Sequence, residues 1–175
     1  MTRPPVPGEL RAGDVFCASD PSSRLLGAGI RLAEKIWSHD NKAEYGHSGI
    51  IADESGTTLE ALWTFKSQNL FKAYKGKNLL IARPLVDSPV KEAAIAWIKK
   101  EAMDDRYPWW RLGLHLLGPL AKVGFTGRLV CSEWTAKYLW YLQIRHGQYR
   151  GTNPDTLADE WIEGRRFDIV FKGVL

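Results

Sequence analysis

The chain has 175 residues, of which 45% are hydrophobic and 25% charged, and these values are typical of one folded domain with a single core. Its formal charge of +4 arises from 24 basic and 20 acidic residues spread along the sequence, without the basic blocks that mark a nucleic-acid-binding arm. No run approaches the roughly 18 consecutive apolar residues of a membrane-spanning helix. We therefore expect one domain over residues 1–175, no nucleic-acid partner and no integral membrane segment.

Residues 1–10 are a proline-rich N-terminal extension. Met1–Gly8 lacks the central apolar region of a secretory signal peptide. We therefore expect a soluble chain that is made in the cytoplasm without a signal peptide. Action outside the cell would then need another exit route, for example carriage on a virion or another particle.

The first half of the chain contains short apolar and β-branched runs bounded by turn residues, which is typical of strands. One serine-rich turn is followed by apolar residues at helical spacing. The predicted elements are a strand at 13–18, a helix from Ser22 or Ser23 to about residue 38, strands at 47–53 and 57–64, and a strand at 78–83. Because only residues 54–56 separate the middle two strands, these strands predict a hairpin.

The second half of the chain is mainly helical in its pattern. Ser88 before Pro89 predicts the start of a helix that runs to about Met103. The apolar segment Trp109–Val123 predicts a helix interrupted at Gly118-Pro119, which we interpret as core or lid in preference to a membrane-contacting surface. The remaining predicted elements are a helix at 130–146, a short helix from Asn153 and a closing strand at 167–171. Since helices and hairpins mix without βαβ alternation, the predicted class is α+β with a mostly antiparallel sheet packed against helices.

The hairpin sequence predicts a contact between His47 and Glu60. In the simplest register Ala52 faces Thr57, so Glu60 faces Gly49 and becomes a diagonal neighbour of His47 at about 7–8 Å between backbones. Glycine leaves room for the glutamate side chain to cross this gap. A register slip of one residue would instead place the two side chains on opposite faces.

Cys131 has the sequence environment of an activated thiol. The loop at 124–128 and the apolar residues at helical spacing after it place Cys131 in the first turn of a helix. Backbone N–H groups there lower a thiol pKa from its usual value of about 8.5, and a neighbouring imidazolium lowers it further. The same N–H groups can stabilise an oxyanion. A thiol–imidazole pair of Cys131 and His47 is therefore the leading hypothesis.

Five short motifs occur in an order that has a known counterpart: Gly13-Asp14-Val15, Gly46-His47-Ser48-Gly49-Ile50, Leu59-Glu60-Ala61, Val130-Cys131-Ser132-Glu133 and Pro154-Asp155-Thr156-Leu157. In these motifs the chain resembles the circularly permuted papain-like superfamily, which includes NlpC-type cell-wall peptidases, YiiX-like proteins and lecithin retinol acyltransferases. The resemblance implies a permuted papain-like (NlpC-like) fold with histidine before cysteine. It also implies that Cys131 is the nucleophile, His47 the general base and acid, and Glu60 the residue that orients the imidazole. Ser48 departs from the family, which more often has an apolar residue there.

Other candidate residues receive structural interpretations. Cys17 alternates in phase with Val15 and is expected in the core, and Asp14 is expected to form a turn at the strand entrance. Tyr107 belongs to an aromatic cluster that either walls a substrate groove or closes the core. Capping or packing roles are expected for the histidines outside the pair: His39, His115 and His146. Two distant cysteines without nearby ligand spacing predict thiols, no metal site and no cofactor.

Three functions remain open at this stage. The first is a cysteine hydrolase that cleaves an amide bond through a thioester acyl-enzyme, with a peptidoglycan peptide as the favoured substrate. The second is a lipid acyl hydrolase or acyltransferase with the same Cys-His dyad, which the apolar segment and the positive charge would suit. The third is a non-catalytic assembly module, for example a component of a phage tail or another envelope-penetrating particle.

Overall fold

A computed structural model describes residues 3–19, 44–61, 65–102 and 129–175. Several predictions fall outside these ranges: the helix from Ser22 or Ser23, the last residues of the second hairpin strand, the Trp109–Val123 segment, and the residues His39, Tyr107 and His115.

The described ranges form an antiparallel sheet with helices. In chain order the elements are β1 (Val15–Ala18), β2 (His47–Ile51), β3 (Thr57–Ala61), β4 (Phe65–Asn69), α1 (Leu70–Ala73), β5 (Asn78–Pro84), α2 (Ser88–Ala102), α3 (Cys131–Tyr141), α4 (Pro154–Glu163) and β6 (Phe167–Val174). The strand order is β4-β3-β2-β1-β5-β6, and every neighbouring pair is antiparallel. The predicted α+β class with an antiparallel sheet packed against helices is confirmed. None of the helices in the described ranges is long and apolar enough to cross a membrane.

The β2–β3 hairpin has the predicted register. Ile50 pairs with Leu59, so Glu60 follows in register opposite Gly49. Asp53 closes the turn, because its side chain accepts hydrogen bonds from the backbone N–H groups of Ser55 and Thr57. A turn fixed by its own side chain leaves little freedom for a register slip.

Both faces of the sheet are buried at the central strand β1, which explains its unbroken apolar run. Val15 and Cys17 point to the face that packs against α2, α3 and α4. Phe16 and Ala18 point to the opposite face, where a second apolar cluster contains Leu10 and residues of β5 and β6. Burying each large side chain contributes about 1.5–3 kcal/mol. The core position expected for Cys17 is confirmed, since its side chain is fully buried.

Asp14 has the turn role expected for it. Its fully buried carboxylate accepts the Arg11 backbone N–H at 2.9 Å and two hydrogen bonds from the Arg83 guanidinium, at 2.9 and 2.8 Å. Such a two-point ion pair fixes orientation as well as charge. Asp14 therefore joins the entrance of β1 to β5.

The edge of the sheet contains two elements that the sequence pattern does not predict, β4 and α1. Phe65–Asn69 has one apolar residue and four exposed or half-buried polar ones, so it shows no alternation. Asn69 then caps α1 by accepting the Lys72 backbone N–H at 3.1 Å. These two elements bring Gln68 and Tyr74 next to β3.

Helix α3 ends at Tyr141, five residues before the predicted end at His146. The chain leaves the helical conformation at Gln143, which has a φ of 58°. Arg166 then donates to the backbone carbonyls of Gln143 and Ile144, both at 3.2 Å. The prediction of a helix to 146 was therefore wrong, because the left-handed backbone at Gln143 breaks the helical hydrogen-bond ladder.

Candidate active site

His47 and Cys131 are each the first residue of their element, β2 and α3 respectively. Hydroxyl groups fix α3 against β2: Ser48 donates to Thr135 Oγ1 at 3.2 Å, and Thr135 donates to the Cys131 carbonyl at 3.1 Å. Ser48 stands where the family that the motifs resemble more often has an apolar residue. Its hydroxyl therefore contributes to holding α3 against β2.

The imidazole of His47 is hydrogen-bonded to Glu60, with 2.8 Å between Nε2 and Oε2. Their side chains are only 2% and 0% exposed. Gly49 lies between them as predicted: a Cβ atom there would stand 2.9 Å from Glu60 Cγ and 2.7 Å from the Phe16 ring. A residue without a side chain is therefore required for the carboxylate to cross to the imidazole.

The Cys131 thiol contacts the same imidazole. The sulfur is hydrogen-bonded to His47 and accepts the backbone N–H groups of Ser48 and Ser132. Since Glu60 occupies Nε2, the ring nitrogen that faces the sulfur is Nδ1. Cys131 is 8% exposed, more than either partner. The structure thus brings together all three residues selected from the sequence.

The electrostatics of this pair favour a thiolate beside an imidazolium. Burial raises the pKa of the Cys131 thiol, but the His47 charge and the backbone N–H groups outweigh burial and bring that pKa below its ordinary value. Burial lowers the pKa of His47, whereas the Cys131 thiolate and Glu60 raise it to about 10. Both shifts favour the state in which the proton resides on the imidazole and the sulfur carries the negative charge.

Glu60 is surrounded by hydrogen-bond donors. Besides His47, it accepts from the Thr58 hydroxyl, from Gln68 Nε2 at 3.2 Å and from the Tyr74 hydroxyl at 2.5 Å. Burial alone raises the pKa of this carboxyl, but the donors lower it below its ordinary value. Glu60 is therefore a carboxylate in the folded protein.

Sequence reasoning did not identify these additional donors. The strand pattern could have identified Thr58, which lies two positions before Glu60, because residues two positions apart on a strand point to the same face. Gln68 pairs with Thr58 across β3 and β4, but β4 itself was not predicted. Tyr74 lies just after α1, and no local pattern connects it with the hairpin.

The first turn of α3 is held from two directions. Glu133 accepts the Val130 backbone N–H at 3.1 Å and the Gly151 backbone N–H at 2.8 Å. Ser132 donates its hydroxyl to the Thr152 carbonyl at 2.7 Å. These contacts fix the position of the sulfur relative to the sheet.

Among the residues that the structure describes, no group of three or more histidine, cysteine or acidic side chains has the arrangement of a metal site. No family model matches the chain, and no curated protein matches it. The site is therefore interpreted from its own geometry and chemistry.

Proposed function

We propose that the protein is a cysteine hydrolase that cleaves an amide bond through a thioester on Cys131. The observation that supports this most directly is the position of the His47 ring, which hydrogen-bonds to the Cys131 sulfur on one side and to the buried Glu60 carboxylate on the other. A thiolate at a helix start, an imidazolium and an ionised carboxylate are the parts that thiol acyl transfer requires.

In the first half of the reaction, the Cys131 thiolate attacks the carbonyl carbon of the substrate and a C–S bond forms. The carbonyl oxygen becomes an oxyanion, which backbone N–H groups in the first turn of α3 can stabilise. The imidazolium Nδ1–H of His47 then protonates the leaving nitrogen as the C–N bond breaks. The products of this step are an amine, a thioester and a neutral imidazole.

In the second half, neutral His47 takes a proton from water as the water oxygen attacks the thioester carbon. Collapse of the second tetrahedral intermediate breaks the C–S bond and releases the carboxylic acid. The sulfur leaves as a thiolate, and the imidazole keeps the proton it accepted, so the starting ion pair is restored. Glu60 holds the ring with Nδ1 toward the sulfur throughout both steps.

The favoured substrate is a peptide of peptidoglycan, and carriage on a phage tail or another particle would take the enzyme to the wall. This part of the proposal is supported by the resemblance of the five motifs to the permuted papain-like superfamily. An acyl-lipid substrate remains the alternative. The apolar Trp109–Val123 segment on which it mainly depended lies outside the described residues.

The test is incubation of purified peptidoglycan with the wild type, with Cys131→Ala and with Cys17→Ala as the matched cysteine control. Mass spectrometry of the soluble fragments should show new amine and carboxyl termini for the wild type and Cys17→Ala, but none for Cys131→Ala. A parallel incubation with phospholipid vesicles measures released fatty acid. Fatty-acid release with intact wall peptides would replace the peptide substrate with an acyl lipid. Activity in Cys131→Ala would overturn the proposal.

A further inference from the structure

Tyr74 contacts two members of the site at once. Its hydroxyl donates to Glu60 Oε2 at 2.5 Å, the shortest of the contacts to that oxygen, which also accepts from His47 at 2.8 Å and Gln68 at 3.2 Å. Its ring is stacked on the imidazole of His47, with 6.2 Å between ring centroids and 14° between planes. One side chain therefore contacts both the carboxylate and the ring that the carboxylate orients.

A third aromatic residue makes this arrangement rigid. Phe16 packs edge-on against Tyr74 with 5.2 Å between centroids, and its ring lies 6.2 Å from that of His47. Phe16 also occupies the space beside Gly49, as its ring would stand 2.7 Å from a Cβ atom there. Neither the tyrosine nor the imidazole can rotate without displacing a buried neighbour.

The Tyr74 hydroxyl remains a donor across the working range of pH. Burial and the adjacent Glu60 charge raise the pKa of Tyr74 far above its ordinary value. A protonated phenol beside Glu60 favours the ionised carboxylate, and an ionised Glu60 favours the charged imidazole. The effect of Tyr74 therefore reaches Cys131 through three successive hydrogen bonds, from Tyr74 to Glu60, from Glu60 to His47 and from His47 to Cys131.

We propose that Tyr74 is a positioning residue of the thiol–imidazole pair, which keeps Glu60 ionised and holds the His47 ring with Nδ1 toward Cys131. This inference rests on the function proposed above. It predicts that removal of the Tyr74 hydroxyl oxygen, three hydrogen bonds away from the sulfur, changes the reactivity of the sulfur. A residue that only filled the core would change stability alone.

The experiment measures the rate of iodoacetamide alkylation at Cys131 and Cys17 from pH 3.5 to 9 by peptide mass spectrometry, in the wild type and three variants. Tyr74→Phe keeps the ring and removes the hydroxyl. Tyr138→Phe removes a buried hydroxyl that donates to the Gly13 carbonyl at 3.1 Å, away from the site. Tyr45→Phe removes a hydroxyl without a hydrogen-bond partner in the described structure.

For Tyr74→Phe we expect the Cys131 profile to move to higher pH. Below the midpoint, alkylation should slow about three- to tenfold, as a rise of about 0.5 to 1 in the thiol pKa requires. The profiles of Tyr138→Phe and Tyr45→Phe should coincide with that of the wild type. Urea unfolding of each variant gives the folded fraction, so that rates are compared per folded molecule.

The outcomes separate this inference from the proposed function. If the wild type alkylates Cys131 much faster than Cys17 but Tyr74→Phe has an unchanged profile, the positioning role is wrong and the active pair stands. An equal shift in Tyr138→Phe would likewise assign the effect to general loss of packing and overturn the role of Tyr74. Equal, slow labelling of both cysteines in the wild type would overturn the function itself.

Discussion

The two cysteines of the chain are both buried thiols, and they differ in the groups that surround the sulfur. Cys17 lies in the middle of β1 and donates its S–H to the Pro154 carbonyl at 3.3 Å. Cys131 starts a helix and accepts hydrogen bonds from an imidazolium and two backbone N–H groups. An acceptor beside Cys17 stabilises the thiol, whereas donors beside Cys131 stabilise the thiolate. Under the proposed function, hydrogen-bond partners rather than burial distinguish the reactive cysteine from the structural one.

The largest expected effect comes from removing the imidazole. His47→Ala should slow alkylation of Cys131 at pH 6 by about 100-fold, because an ordinary thiol with a pKa of about 8.5 is less than 1% ionised there. Peptide mass spectrometry after iodoacetamide treatment measures both cysteines in one sample. The alkylation rate of Cys17 should be unaffected. Rapid labelling of Cys131 in this variant would show that the imidazole is not what makes the two thiols differ.

A smaller change is expected when the carboxylate loses its charge. Glu60→Gln keeps the shape but cannot stabilise the imidazolium, so the His47 pKa should fall and the Cys131 thiol pKa should rise by about one. The alkylation profile of Cys131 should therefore move to higher pH, with about tenfold slower reaction below its midpoint. An unchanged profile would show that Glu60 has no influence on the sulfur.

Gly49→Ala tests whether the contact between Glu60 and His47 affects Cys131 but not Cys17. The new Cβ atom would meet the Phe16 ring at 2.7 Å and Glu60 Cγ at 2.9 Å, so at least one of them must shift. We expect a loss of about 1–3 kcal/mol in the free energy of unfolding, measured with urea. Cys131 alkylation should slow several-fold while Cys17 labelling stays constant. Normal stability together with normal Cys131 reactivity would contradict the proposed contact.

The ion pair also predicts a pH dependence of stability. At neutral pH the pair holds one proton in both states: the folded protein has a thiolate and an imidazolium, and the unfolded chain has a thiol and a neutral imidazole. The free energy of unfolding from this pair should therefore be constant from about pH 6.5 to 8.5, the ordinary pKa values of histidine and cysteine.

Outside that plateau, the contribution of the pair should decline on both sides. Above about pH 8.5 the unfolded thiol ionises while folded His47 keeps its proton until about pH 10, so stability falls as pH rises. Below about pH 6.5 unfolded histidine gains a proton that the folded pair lacks, so stability falls as pH falls. The contribution of the pair is the difference in the free energy of unfolding between the wild type and the double variant Cys131→Ala/His47→Ala, measured with urea at each pH. A difference that only rises or only falls with pH would contradict the prediction.

The smallest effect is expected at the other thiol. Cys17→Ala removes one buried sulfur atom and its hydrogen bond to Pro154, which should cost about 1–2 kcal/mol in the free energy of unfolding. Reactivity of Cys131 and hydrolysis should be unchanged. A large loss of activity in a variant that remains folded would give Cys17 a role that its surroundings do not indicate.

The sequence predicts the central part of this site because the relevant signals are local. The short loop between β2 and β3 sets the register, and that register together with Gly49 brings His47 to Glu60. The apolar residues at helical spacing after Cys131 predict a helix that starts there, and α3 begins at Cys131. Each inference depends on residues fewer than about fifteen positions apart.

The parts that were not predicted depend on contacts between distant segments. Tyr74 reaches Glu60 only because β4, a mostly polar edge strand, turns the chain into α1. Where the chain leaves α3, the carbonyls of Gln143 and Ile144 accept hydrogen bonds from Arg166, more than twenty residues further along. Periodicity reports neither kind of contact, because it measures only how a segment divides its own residues between two faces.

The order of these elements along the chain has a consequence for biosynthesis. In the described structure, residues 15–84 supply five of the six strands together with His47, Glu60 and Tyr74, whereas Cys131 and α3 come much later. During translation His47 and Glu60 can therefore meet before Cys131 has been made. The sulfur gains its donors from β2 only when α3 docks. A nascent or misfolded chain therefore exposes two ordinary thiols, and the proposed reactivity begins with the finished fold.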